Sequence, residues 1–133
     1  MSFLLDTDIC SAYLKGDRAV FGKVVQHGGQ LHLSTVSAAE LFAWVLRKKA
    51  SPSRLQGLRD LFRDVAILEV TVDVSETFGQ IRAGLLDSGR NMPDLDLLIA
   101  STALVHDLTL VTHNVQDFSN LAQLRIQDWL NPQ

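Results

Sequence analysis

Short apolar runs separated by stretches of helical period are the feature that most limits how this chain can fold. Phe3-Leu4-Leu5, Leu31-His32-Leu33-Ser34, Ala66-Ile67-Leu68-Glu69-Val70, Leu108-Thr109-Leu110-Val111-Thr112 and Leu124-Arg125-Ile126 read as strands. Between them lie segments whose apolar residues recur every three to four positions. A helix follows Asp6-Thr7-Asp8 to about Leu14 and closes at Gly16. A second places Val20, Val24 and Val25 on one side and ends at Gly28-Gly29. A third opens at Ser37-Ala38-Ala39-Glu40, a capping-box pattern, and runs to about Lys49. Ser53 is positioned to cap a fourth, carrying Leu55, Leu58, Leu61 and Phe62, and Val74, Phe78, Ile81 and Leu85 line a fifth. A sixth starts at Asn91-Met92-Pro93-Asp94 and continues through Ile99, Ala103 and Leu104. Alternating strands and helices predict an α/β fold with a mainly parallel central sheet of about five strands and helices on its faces.

With 133 residues, 47% hydrophobic and 20% charged, the chain is expected to form a single domain over residues 1–133 with its own core. No apolar stretch approaches the ~20 residues of a membrane span, and the first residues lack the basic region of a signal peptide. Cys10 is the single cysteine. It can form no internal disulfide, has no histidine beside it to make a catalytic thiol, and fits a cytoplasmic location. A net charge of −3 argues against a bulk electrostatic nucleic-acid binder. It leaves room for a nuclease, whose metal ligands are themselves carboxylates.

Four acids sit where such a fold would deliver them to one edge. Asp6 and Asp117 follow apolar strands, while Glu40 and Asp96 lie near helix starts. In an open α/β sheet, strand C-termini and helix N-termini share the edge where ligands bind. Two carboxylates about 4 Å apart repel by roughly 4 kcal/mol at an effective dielectric near 20. A hard divalent cation with oxygen ligands relieves that repulsion, which points to a Mg²⁺ or Mn²⁺ site for phosphodiester hydrolysis. Each acid also has a structural role open to it. Asp6 can cap the first helix, as can Asp8, and Glu40 can reach back to the Ser37 backbone N–H. Asp96 lies in a first helical turn that Asp94 can cap without it. Asp117 can cap a turn beginning at Phe118, with Thr112 and Asn114 as orienting groups. Thr7 adds a hydroxyl beside Asp6. The histidines lack zinc-ligand spacing.

Arg47, Lys48 and Lys49 form the densest basic run. It reads either as a solvated helix end or, with Arg54 and Arg90, as a contact for RNA phosphates. A third reading places these cations around a partner site built on Phe42, Trp44, Val45 and Leu46.

Leu-Leu-Asp-Thr-Asp at the start, Ser-x-x-Ala-Glu-Leu, Asp-Leu-Leu-Ile-Ala-Ser and Leu-Val-Thr-His-Asn-x-x-Asp-Phe, in this order from Phe3 to Trp129, resemble the PIN domain. With the closing Leu-x-Ile-Gln-Asp-Trp they look especially like VapC-type toxins of bacterial toxin–antitoxin pairs. The resemblance implies a PIN-like three-layer α/β/α fold and a metal-dependent endoribonuclease. It also implies a homodimer and a small antitoxin that blocks the site. Asp6, Glu40, Asp96 and Asp117 fall on the family's acidic quartet, and Thr112 and Asn114 on its supporting polar positions. The chain departs from the pattern in two places: Ala43-Trp44 replaces a small glycine-containing turn of helix, and Asp8 replaces a common asparagine. Competing classes are a catalytically silent PIN-like binding module, a DNA-directed or structure-specific nuclease, and a phosphoacceptor module. The last needs a lysine after a late strand, and the final lysine here is Lys49.

Overall fold

A computed structural model describes residues 1–131. Five strands, β1 (Phe3–Leu5), β2 (Leu31–Ser34), β3 (Ala66–Leu68), β4 (Thr109–Val111) and β5 (Ile126–Gln127), form one sheet in the order β3-β2-β1-β4-β5. Every pairing is parallel. Helices α1 (Thr7–Leu14), α2 (Arg18–Gln26), α3 (Thr35–Val45), α4 (Pro52–Asp64), α5 (Val72–Asp87), α6 (Asp94–Val105) and α7 (Val115–Phe118) connect them. The α/β class expected from the sequence is the one observed.

Burial explains the layers. β1 is wholly buried, and its alternate side chains enter two different apolar clusters. Phe3 and Leu5 pack with Ile9, Leu33, Leu41, Leu58 and Trp129, whereas Leu4 packs with Leu97, Ile99, Leu110 and Phe118. The period-2 alternation of a strand thus separates a core against α1–α4 from one against α5 and α6. α4 approaches α1 closely at Gly57, where a Cβ would lie 3.3 Å from Leu14 Cδ2. Trp129, 1% exposed, seals the first core against the edge of Phe3 and the stacked ring of His27.

Several local expectations are corrected. α3 begins directly after β2, capped by the Ser34 hydroxyl, which accepts from Val36 N at 3.0 Å. Glu40 therefore sits in the second turn and makes no capping box with Ser37. α3 also stops at Val45, before the basic run, with Leu46 as its C-cap. Ser51, followed by Pro52 at the first helical position, occupies the cap position of α4 in place of Ser53. Pro93 holds that position in α6, and Asp94 pairs instead with Arg82. Asp117 lies inside α7 and caps nothing. β5 lies at Ile126–Gln127, displaced from Leu124 because Leu110 and Val111 align with those residues. Val25 is exposed, leaving Val20 and Val24 as the buried face of α2. No helix among the described residues is long and apolar enough to cross a membrane.

Candidate functional site

The strand order reverses between neighbouring β1 and β4, the switch point where open α/β sheets bind ligands. Asp6 ends β1 at that point and is 4% exposed. Its Oδ1 accepts from Thr7 N at 2.8 Å, so Asp6 is the N-cap of α1. Its Oδ2 accepts from Thr112 Oγ1, also at 2.8 Å, at the end of β4. Asn114 N donates in turn to Thr112 Oγ1 at 3.1 Å, which fixes the hydroxyl's orientation. Thr7 Oγ1 donates to Glu40 Oε1 at 2.7 Å and brings the second turn of α3 to the same edge.

Electrostatics links the remaining acids to this group. Asp6 is pushed up to about 7, chiefly by burial, then by the Asp8 charge, with a smaller contribution from Asp96. Asp96 is raised by partial burial and by the charges of Asp117, Glu40 and Asp8. Asp6, Asp8, Glu40, Asp96 and Asp117 thus form one coupled set at the C-terminal edge of the sheet. Raised carboxyl pKa values express the cost of ionising several acids at one partly buried edge, a cost that an opposite charge would relieve.

Asp8 is the residue that sequence reading undervalued. It does not cap α1. Its Oδ2 accepts from His113 N at 3.0 Å, while its Oδ1 is buried without a hydrogen-bond partner. Its pKa is raised, first by burial. The Asp-Thr-Asp spacing carried the available signal, because a cap at Asp6 leaves the next acid one turn-step into the helix and facing the β4 loop.

An all-oxygen donor set with an unpartnered buried carboxylate oxygen suits a hard divalent cation. The acids nevertheless ring the edge without closing on a point. Among the described residues no three acidic, histidine or cysteine side chains are gathered tightly enough to hold an ion as they stand. Asp6 and Glu40 each commit an oxygen to a threonine hydroxyl. Asp117 is exposed on the short helix α7. His113 pairs through Nδ1 with Asp128 Oδ2 at 3.0 Å beside a cavity of about 550 Å³ that Asn114 and Asp117 also line. Cys10 is buried and its thiol is pushed up by burial, leaving it inert.

The basic residues divide. Arg47, Lys48, Lys49 and Arg54 line one cavity with Trp44. Arg90 is outside it, in the loop between α5 and α6, with its Nε donating to Ser88 Oγ.

The model of the PIN domain family matches residues 3–124. This chain belongs to the PIN domain family. As a PIN domain it is similar to the tRNA(fMet)-specific endonuclease VapC of Shigella flexneri, 28% identical over 97% of this chain and 98% of that protein. It is 30% identical to ribonuclease VapC19 of Mycobacterium tuberculosis, over 92% of this chain and 96% of the relative. Among solved structures, a chain of the DNA-bound VapBC complex of Salmonella typhimurium aligns with a TM-score of 0.90 at 25% identity. That alignment covers 97% of this chain and 98% of the other. VapBC-1 of nontypeable Haemophilus influenzae aligns at 0.83 and 27%, over 98% of this PIN domain and all of its counterpart. The kinship is therefore with VapC ribonucleases across the whole PIN domain.

Proposed function

We propose that this chain is a VapC-type endoribonuclease, the toxin of a VapBC-type toxin–antitoxin pair. It hydrolyses RNA phosphodiester bonds at the edge formed by Asp6, Glu40, Asp96 and Asp117. The observation that carries this reading is the buried Asp6, which accepts from Thr7 N and Thr112 Oγ1 and is pushed up to about 7 by burial and the Asp8 charge, with Asp96 raised by burial and the charges of Asp117, Glu40 and Asp8. Such crowding is destabilising in isolation and useful when a cation is drawn to it. Mg²⁺, with Mn²⁺ as a substitute, fits the oxygen donors of those four residues. When bound it would lower the pKa of water and offset charge on the phosphate oxygens.

The chain's own groups do the remainder. Thr112 and Asn114 hold the Asp6 carboxylate in place, and Thr7 holds Glu40. Glu40, with one oxygen uncommitted, orients the attacking water as general base. A small antitoxin is the expected partner, since similar solved chains come from VapBC complexes. A homodimer and a cytoplasmic location complete the proposal on family grounds.

The test is cleavage of matched single-stranded RNA and DNA by wild type and Asp96→Asn in Mg²⁺. Wild type should cut RNA, and the variant should lose orders of magnitude while melting normally. Preference for DNA would make the chain a DNA-directed nuclease, because only the 2′-OH separates the substrates. The loose spacing of the acids favours one further reading, a catalytically silent binding module. It would show as RNA binding without cleavage at any metal concentration.

A further inference from the structure

A second concentration of chemistry lies one helical turn from the acids. Trp44 follows Glu40 by four residues on α3, so the two share a face with their Cα atoms about 6 Å apart along the axis. Lys15, the C-cap of α1, places its Nζ 5.5 Å from the Trp44 ring centroid, and the Arg54 guanidinium carbon lies at 4.7 Å. Arg47, Lys48 and Lys49 join Trp44 and Arg54 in lining a cavity of about 570 Å³, and Lys15 reaches the same ring without lining that cavity. No lining residue is acidic. Among the described residues, none of these five cations is engaged in an ion pair. They are five of the chain's twelve lysines and arginines, gathered at one spot on a protein of net charge −3.

We infer that this cationic cup with its tryptophan floor is a subsite for the single-stranded RNA substrate, holding nucleotides beyond the bond that is cut. It rests on the ribonuclease reading and specifies where the strand runs. A half-buried indole offers a face on which any base can stack, and the surrounding cations suit the phosphates between bases. An acidic protein surface would satisfy the cations without needing the aromatic floor. α1 and α3 connect the two places: Thr7 bonds Glu40 at the acid edge, and Lys15, about 12 Å further along α1, meets Trp44. At a stacked rise of about 3.4 Å per nucleotide, the cup lies roughly two to four nucleotides from the acids.

The experiment measures binding of a short fluorescein-labelled single-stranded RNA by anisotropy, and steady-state cleavage of the same RNA. It compares wild type, Trp44→Leu, Arg54→Gln and the triple variant Arg47→Gln/Lys48→Gln/Lys49→Gln, each checked by thermal melting. Because Trp44 packs partly on the core, the arginine and lysine variants keep the test valid if Trp44→Leu is unstable. The subsite requires Kd and KM to rise about tenfold or more with kcat retained. It also requires the slope of log K against log salt to shrink by about 0.7 for each phosphate contact removed. If all variants bind and cut RNA as wild type does, the cup is not a substrate site, although the ribonuclease reading stands. If wild type neither binds nor cuts RNA, both readings fall. If RNA kinetics hold and only inhibition by a cognate antitoxin weakens, the cup is a protein-docking surface and the inference is wrong.

Discussion

Thr7 Oγ1 and Glu40 Oε1 lie 2.7 Å apart, a hydrogen bond spanning 33 residues that ties the first turn of α1 to the second turn of α3. Thr7→Val removes the donor while keeping the shape. Stability should fall by only about 1 kcal/mol, whereas RNA cleavage should fall roughly 10- to 100-fold, the usual effect of losing a group that orients a functional carboxylate. Thr7→Ser should restore most activity. Equal activity in Thr7→Val and wild type would mean that Glu40 needs no such support.

Asp6 gives the apoprotein a pH-dependent weakness. Its carboxyl sits near 7 when folded, against an ordinary value of 3.8, so the unfolded chain releases this proton first. Stability in EDTA should therefore decline as pH rises from about 4 to about 7, by up to roughly 4 kcal/mol, and level off above. Asp6→Asn should flatten that decline and melt higher than wild type at pH 8. Parallel melting curves for the two proteins would remove Asp6 as the cause.

Divalent metal should reverse the same weakness. At about 100 times its dissociation constant, Mg²⁺ or Mn²⁺ should stabilise wild type by roughly 2.7 kcal/mol over the EDTA form. Asp96→Asn, which removes one of the mutually repelling charges, should show a much smaller gain. A wild type whose melting ignores both ions would leave the acids without a metal.

Trp129 tests the fold apart from the chemistry. It is 1% exposed, against Phe3 and His27. Trp129→Ala should cost about 3–5 kcal/mol and lower Tm by about 10 °C or more in calorimetry. A smaller loss would show that the first core closes without it.

Asp6 stands out in the sequence as a candidate because a carboxylate directly after Phe-Leu-Leu has few structural uses, and Asp96 because Pro93 and Asp94 supply its helix start without it. The expectations that failed share a cause. Ser37-x-x-Glu40 reads as a capping box only if a loop precedes Ser37, and β2 runs into α3 with none, so Ser34 takes the cap. Asp94 looks like a cap locally but finds Arg82 across the fold. Asp8 gains its importance from His113 N, 105 residues away, which no local pattern encodes. Lys15 meets Trp44 only through the packing of α1 on α3. Short-range chemistry set where elements begin, and long-range packing chose what each polar group would face.

The bond from Thr112 to Asp6 closes a separation of 106 residues across the two central strands. During synthesis the first strand leaves the ribosome long before the strand that completes its edge, and parallel pairing of that range cannot form early. A nascent chain would therefore carry its aspartates in separate, solvated pieces for most of its elongation. Assembly of this edge therefore waits on β4, a property of the strand order itself.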